Sequence, residues 1–316
     1  MSYEELSGHV SDIWDKAVED YMMERGAYKT DDNRYIGSMG VDDEILQLWI
    51  DEAESKFAKV YTMFGDFYSL PDPADFDGPI ADLKTTMSAL CASTGNDDPI
   101  KGEFYPANTE LTAMTDAAGY LDEWDGVAVT RFRENFVTPF PQRTSNQFVI
   151  ASILMNALEA EQELWKRVRE NIDKIAEDCI KALDHMHDCG KNEWSMAFSV
   201  AGAVVAIAAL PLTAGTSGAL ALAAVGSGIG VASTYAGQID DPPEPRFSGE
   251  SAEAVVNATE DGIDKLKEEI EKQEQKVVDA MTNALGTVNA HVEDIVAPRP
   301  SIADDPTPDP GYPDAD

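Results

Sequence analysis

The feature that most constrains the fold of this chain is a long run without a charged residue, from Trp194 to Ile239. The rest of the sequence is strongly acidic, with 59 acidic against 23 basic residues and a formal net charge of −36. Apolar side chains in such a run favour shelter from water, either in a protein core or in a bilayer. Three interpretations stay open: a hairpin buried against a helical bundle or in an oligomer, an element that inserts conditionally into a membrane, and a permanent anchor.

The two halves of the uncharged run differ in hydrophobicity. The half from Met196 to Leu212 is strongly apolar, and a membrane helix needs about 20 predominantly apolar residues. The half from Ala219 to Gly237 is diluted by glycine, serine and threonine, and the flanks of the run are mainly acidic, whereas membrane anchors usually have basic flanks. The candidates for membrane insertion are Phe198, Val200, Val204, Val205, Ile207, Leu210, Leu220 and Leu222.

The acidic composition limits the partners of the chain. A pI near 4.2 and a large negative charge repel nucleic acid and anionic lipid headgroups. The simplest explanation of the acidity is solubility or adaptation to high salt. A hydrophobic content of 43% is that of a folded protein, so the sequence predicts a sizeable core and no nucleic-acid partner.

Cysteine usage and the N-terminus bear on localisation. Three cysteines at wide spacing, Cys91, Cys179 and Cys189, cannot form a disulfide framework, and the sequence does not say whether any two of them pair. The stretch MSYEELSGHVSDIW contains acidic residues and no apolar h-region, so no signal peptide is expected. Export would therefore follow a route that needs no signal peptide.

Helical periodicity dominates the N-terminal part, and no run alternates with period two. A first amphipathic helix ends near Gly26, and a second begins near Asp42 and continues to Phe64. A third helix is expected from about Pro79 to Cys91, with its proline in a tolerated first-turn position.

Two long helices flank the uncharged run. The first is expected to start at the capping-box pair Thr144 and Gln147 and to end before Gly190, with Glu161 as the one charged interruption of its apolar stripe. The second is expected from about Ser251 to Ile295. The predicted seams are Leu154, Leu158, Trp165, Val168, Ile172, Ile175, Cys179, Ala182 and Met186 in the first helix, and Val256, Thr259, Ile263, Leu266, Ile270, Gln273, Val277, Ala280, Ala284 and Val288 in the second.

These patterns predict an all-α protein, an elongated helical bundle with a long antiparallel coiled-coil-like helix pair and an apolar hairpin at one end. Three ranges are expected. Residues 1–137 form an N-terminal helical region, residues 138–296 contain the long helices and the hairpin (194–239), and residues 297–316 form a disordered acidic, proline-rich tail.

The motif with most content is Trp124-Asp125-Gly126, which lies between two predicted helices. Glycine relaxes backbone sterics at a tight turn, and a neighbouring tryptophan can pack across the helix pair that the turn closes. From Leu111 to Leu183 the chain resembles the WXG family of type VII (ESX) secretion substrates, in particular its longer actinobacterial helical members. The resemblance rests on Trp124, Gly126, Ala128, Phe132, Phe136 and the long helix beyond them.

The resemblance implies a role for a second motif. In that family the Trp-x-Gly turn acts together with a Tyr-x-x-x-Asp/Glu motif as a secretion signal, usually just past the second helix. No such motif follows Cys189 here. Tyr28 with Asp32 precedes the turn, and Tyr312 with Asp316 lies far downstream in the predicted tail, so Tyr312 and Asp316 are the candidates for this role.

The sequence gives no pattern for catalysis. The stretch DHMHDCG gathers His185, His187 and Cys189, but two histidines two residues apart on a helix point to different faces. The calcium-loop pattern fails in DPADFDGPIADLK, and phosphate-binding glycine loops and hydrolase or kinase nucleophile signatures are missing. We therefore expect no enzyme activity, no cofactor and no metal site.

The functional expectation is a non-enzymatic WXG-like protein of a type VII secretion system, secreted or cytoplasmic before export. Its partners would be the secretion machinery or a helical protein, or a second copy of the chain. The alternatives are a helical pore-forming or membrane-perturbing effector that inserts residues 196–237, as architectural analogy with α-helical pore-forming toxins implies, and a purely structural coiled-coil scaffold.

Overall fold

The computed structural model describes residues 3–92, 94–121, 123–186, 194–195, 246–247 and 251–297. The chain is predominantly helical, with short two-stranded sheets as the exceptions, and this confirms the predicted all-α class. The uncharged run beyond residues 194–195 and the C-terminal tail from residue 298 lie outside the described residues.

The N-terminal part alternates helices with a small hairpin. Helix α1 spans Leu6–Glu24, strands β1 (Ala27–Lys29) and β2 (Tyr35–Gly37) pair antiparallel, and α2 spans Asp43–Phe57. The Asp42 side chain caps α2 by accepting a hydrogen bond from the Ile45 amide at 2.9 Å, as its residue type favours. The next elements are α3 (Lys59–Met63), α4 (Asp77–Leu90), β3 (Asn96–Asp97) and β4 (Phe104–Tyr105).

The second half contains the two long helices. Helix α5 spans Thr109–Ala117 and continues as a 3-10 turn to Leu121, and α6 spans Val127–Phe132 with a π-helical turn to Val137. Helix α7 runs over Phe140–Asp184 and α8 over Ala252–Ala290, and strands β5 (Trp194–Ser195) and β6 (Arg246–Phe247) pair between them.

The chain forms two compact units. The first comprises Met1–Ile80, Ala157–Ala208 and Val231–Asp279, and the second comprises Ala81–Asn156, Ala209–Gly230 and Ala280–Asp316. Each long helix therefore contributes a segment to both units. The structure describes only part of these ranges.

In the first unit, α1, α2, α3, α7 and α8 share one apolar core. The two long helices run in opposite directions there, because Glu161 faces Glu274 while Cys179 makes a hydrogen bond with Thr259 eighteen positions further along α7. The α7 side of this core consists of Leu164, Val168, Ile172, Ile175, Ala176, Cys179, Ala182 and Leu183.

Ion pairs join the helices around this core. Lys56 Nζ lies 2.6 Å from a Glu253 carboxylate oxygen, and Lys59 Nζ lies 2.6 Å from a Glu260 carboxylate oxygen. Both pairs connect the α2–α3 region to α8, and Lys16 on α1 pairs with Asp184 at the end of α7. The buried His9 side chain places Nδ1 3.2 Å from Asp173 Oδ1, so α1 and α7 also meet through polar groups inside the core.

In the second unit, side chains near the start of α7 hold the segment after α8. Arg143 Nε donates to the Glu293 carbonyl at 3.2 Å, Asn146 donates to the Asp294 carbonyl at 2.8 Å, and Gln147 donates to the Ile295 carbonyl at 2.8 Å. These bonds satisfy backbone carbonyls at the end of the helical segment, where no following turn supplies an amide donor.

Two expectations from the sequence are wrong in detail, and one element was not expected. Helix α7 starts at Phe140 rather than at a Thr144 cap, and the Thr144 hydroxyl instead donates to the carbonyls of Phe140 and Pro141 within the helix. Leu154 is exposed, whereas its neighbour Met155 is buried. The β1–β2 hairpin was not expected, because three-residue strands are too short to show alternation.

Candidate functional site

The Trp-x-Gly turn connects α5 and its 3-10 extension to α6, in the second unit. The Trp124 amide donates to the Leu121 carbonyl at 3.1 Å and so closes the preceding turn. Gly126 then precedes α6, and its carbonyl accepts from the Thr130 amide at 3.1 Å, which starts the new helix. The helix break at EWDG is therefore present where the sequence predicts it.

Gly126 has a backbone conformation that other residues rarely adopt. Its φ is 126° and its ψ is 162°, a region that is essentially restricted to glycine. A Cβ atom built at this position meets no heavy atom within 4 Å. The turn thus requires glycine for its backbone angles, and the space around Gly126 is open.

Trp124 is presented to solvent. Its side chain is 64% exposed, whereas the sequence allowed it to pack across the two helices. Tyr120 before it and Val127 after it are also exposed, at 81% and 70%. The turn therefore exposes its large apolar residues instead of burying them. Exposed apolar side chains clustered along a short segment are typical of surfaces that bind another molecule.

Further aromatic rings occur at the end of α6 and in the residues that follow it. The Phe132 and Phe136 ring centroids lie 5.3 Å apart with planes at 20°, and those of Phe136 and Phe140 lie 5.8 Å apart. A π-helical turn at Arg133–Val137 contains Phe136 and separates Phe132 from Phe140. Single π-helical turns occur frequently at functional sites. We call Trp124, Gly126, Val127, Phe132 and Phe136 the turn surface.

The turn surface consists mainly of apolar and aromatic groups. Its side chains offer an indole and phenyl rings for apolar contact, and aromatic residues of this kind dominate binding energies at interfaces. Among the described residues, groups of three or more His, Cys, Asp or Glu side chains that could hold a metal ion are absent.

The other predicted residues have separate locations. Tyr312 and Asp316 lie outside the described residues, as do the eight candidates for membrane insertion. Tyr28 is in β1 of the first unit and is 51% exposed, and Asp32 follows in the hairpin turn, where hydrogen bonds from Thr30 and Arg34 lower its pKa. Trp124, Gly126, Phe132 and Phe136 thus lie on one short segment of the second unit, and the second motif stays unassigned.

The structure describes the first two residues of the uncharged run and two residues that follow beyond its end. Trp194 pairs with Phe247 and Ser195 with Arg246 in an antiparallel backbone ladder, so the two ends of the intervening segment meet. Within the described ranges, none of the helices is long and apolar enough to cross a bilayer.

Sequence reasoning missed Tyr120 and Val127 as parts of this exposed region. A helical pattern shows which residues are apolar, but it does not show that an apolar residue lacks a partner. Comparison of the chain with protein-family models, with curated protein sequences and with solved structures finds no match.

Proposed function

We propose that this chain is a non-enzymatic WXG-like protein of a type VII secretion system, and that the turn surface is the part which the export machinery or a helical partner recognises. The exposure of Trp124 carries the proposal. A tryptophan that is 64% exposed beside a glycine in a glycine-only conformation contributes little to the core, and its indole is available to a partner.

The residues after the turn support the same proposal. Phe132 is 48% exposed and stacks on Phe136, so the aromatic surface extends beyond the turn itself. Aromatic anchors at the centre of an interface account for much of its binding energy. We therefore expect a partner to bury the side chains of Trp124 and Phe132.

Cell fractionation tests the proposed export route. The chain is produced in its native host with the type VII machinery intact or disabled, and the extracellular fraction is compared with that of a cytoplasmic marker. The proposal expects the chain outside intact cells and inside disabled ones. Equal extracellular amounts in the two strains, or an extracellular fraction no greater than that of the marker, would contradict it.

A second candidate is a membrane-perturbing effector, which the β5–β6 ladder favours. Because Ser195 and Arg246 are paired, the described residues on the two sides of 196–245 lie next to each other, as the insertion of a hairpin would require. A hairpin places two apolar segments side by side, which is the arrangement that insertion of residues 196–237 requires. Neutralisation of carboxylates at acidic pH would lower the repulsion from anionic lipid.

Dye leakage from liposomes tests the second candidate. Leakage is measured at acidic and neutral pH for the unmodified chain and for a Val204→Asp/Leu222→Asp variant. A Leu48→Asp variant is the matched control, because Leu48 lies on α2 and is 64% exposed. The candidate expects leakage that Val204→Asp/Leu222→Asp abolishes and Leu48→Asp preserves; intact liposomes at every pH and lipid composition would exclude it.

A further inference from the structure

Aspartate is followed directly by glycine at three places in this chain: Asp77-Gly78, Asp125-Gly126 and Asp261-Gly262. Such a pair is prone to a spontaneous rearrangement, because glycine has no side chain to keep the aspartate carboxyl carbon away from its amide nitrogen. The rearrangement closes a ring between these two atoms, and this requires rotation about the aspartate ψ angle. The backbone around each pair therefore decides whether the pair reacts in the folded protein.

Two of the pairs are held in helices of the first unit. Asp77 has helical angles, φ −59° and ψ −43°, at the start of α4, and its carboxylate accepts a hydrogen bond from Gln162 Nε2 at 2.7 Å. Asp261 lies in the interior of α8, where Gly262 is buried and helical amides are bonded to the carbonyl four residues earlier. Rotation about ψ would break the helix at either place, so both pairs are restrained.

The third pair lies outside the helices. Asp125 and Gly126 are both exposed and connect the 3-10 turn that ends at Leu121 to α6. Gly126 has a φ of 126°, and a Cβ atom built at this position meets no heavy atom within 4 Å. Packed atoms therefore do not crowd this side of the glycine, and the helical restraint that holds the other two pairs does not apply to Asp125.

We propose that Asp125 is a site of spontaneous isomerisation to isoaspartate in the folded protein. The Gly126 nitrogen forms a bond with the side-chain carboxyl carbon of Asp125, and one carboxyl oxygen leaves as water with the carboxyl proton and the amide proton. One water molecule then hydrolyses the resulting succinimide. Opening at the side-chain carbonyl restores aspartate, whereas opening at the main-chain carbonyl leaves the chain linked through the side-chain carbon. The water lost in the first step is regained in the second, and neither step is a redox reaction.

Isomerisation changes the turn surface. The isoaspartyl linkage adds a methylene group to the main chain between Trp124 and Gly126, and the former main-chain carboxyl of Asp125 becomes a free carboxylate. The Gly126 carbonyl, which accepts from the Thr130 amide at 3.1 Å, then starts α6 from a different position relative to Trp124. An effect on partner recognition rests on the proposed function, whereas the isomerisation itself does not.

Peptide mapping by mass spectrometry tests the proposal. The full chain is incubated at physiological temperature and near-neutral pH, and isoaspartate is measured at each of the three pairs over several weeks. We expect it to form at Asp125 at least about tenfold faster than at Asp261, which reacts only from locally opened states of α8. In guanidinium chloride the three pairs should react at similar rates, because unfolding removes the helical restraint.

Two variants identify the reacting group. Asp125→Asn should form isoaspartate faster at the same position, because an amide reaches the same succinimide with ammonia as the leaving group. Asp125→Glu keeps the charge and should resist the rearrangement, because its longer side chain has to close a larger ring. Circular dichroism shows whether both variants are folded.

Two results would overturn the proposal. One is a rate at Asp125 in the folded chain that is no higher than the rate at Asp261. The other is isoaspartate that forms at Asp125 in guanidinium chloride but does not accumulate there in the folded chain, because the fold would then restrain this pair as it does the other two. Neither result depends on export, so the proposed function stands or falls separately.

Discussion

The carboxylate of Glu161 on α7 faces the carboxylate of Glu274 on α8 inside the first unit. Burial raises the pKa of Glu161 and the charge of Glu274 raises it further, while a hydrogen bond with the Trp165 side chain acts in the opposite direction. Because a buried carboxylate is costly when it is ionised, this pair makes the association of the two long helices weaker at neutral pH than at acidic pH.

Glu161→Gln should therefore stabilise the protein at neutral pH. The folded-state pKa of Glu161 lies above its unfolded value, so the folded state binds more protons between the two values and stability falls as pH rises through that range. Glutamine stays neutral and still accepts a hydrogen bond from Trp165. Urea unfolding across acidic to neutral pH should show a higher midpoint for Glu161→Gln at neutral pH and a smaller dependence on pH.

Glu163→Gln is the control for this prediction. Glu163 lies two residues away and binds Arg167 at 2.7 Å, so its charge is favourable. This variant should be no more stable than the unmodified chain at neutral pH. A stabilisation by Glu163→Gln equal to that of Glu161→Gln would mean that the facing pair has no special effect.

The register of α8 predicts different costs for two adjacent valines. Val277 is 6% exposed and Val278 is 54% exposed. Val277→Ala should lower the free energy of unfolding by about 2 kcal/mol, since it removes buried methyl groups and leaves a cavity. Val278→Ala should change it by less than about 0.5 kcal/mol. Urea unfolding measures both, and similar costs would contradict the register.

Two glycines should respond in opposite ways to alanine. Gly126→Ala should cost about 1–3 kcal/mol, because the φ of 126° excludes a side chain even though the space is open. Gly286→Ala within α8 should raise the free energy of unfolding by about 0.5–1 kcal/mol, because alanine favours the helix. A Cβ atom at Gly286 also meets no heavy atom within 4 Å. Thermal unfolding compares the two, and a stabilising Gly126→Ala would show that the turn does not hold this conformation.

The described cysteines should be unreactive in the folded protein. Cys91 and Cys179 are buried free thiols, and burial raises the pKa of Cys179 to about 12. A Cys189→Ser variant should therefore label slowly with a thiol reagent at mildly alkaline pH and rapidly after denaturation, because the thiolate is the reactive form. Fast labelling of the folded variant would contradict the burial of both thiols.

Regular packing is the part of the fold that the sequence predicts well. The seam of α8 from Val256 to Ala280 is buried as expected, and the outer positions Ala284 and Val288 are partly buried. A repeat of apolar residues at steps of three and four over many turns places them all on one face of the helix, and this face packs in the core. Because the steps are regular, the buried positions can be predicted along the whole seam.

Local features with a few residues were predicted less well. The Thr144 capping-box pattern was wrong because α7 already starts at Phe140, with Pro141 tolerated in its first turn. Met155 replaces Leu154 in the core, since both are apolar and only the helix orientation decides between them. For the same reason the sequence located the Trp124 turn but could not predict its exposure, which depends on the neighbours that the fold provides.

Export of a Trp124→Ala variant tests the central proposal most directly. Trp124→Ala and Phe104→Ala are produced at equal intracellular levels in the native host, and extracellular amounts are measured; Phe104 is a matched aromatic in the same unit and is also 64% exposed. Circular dichroism should show both variants folded and helical. The account predicts that Trp124→Ala stays inside the cells while Phe104→Ala is exported normally, and normal export of folded Trp124→Ala would contradict it.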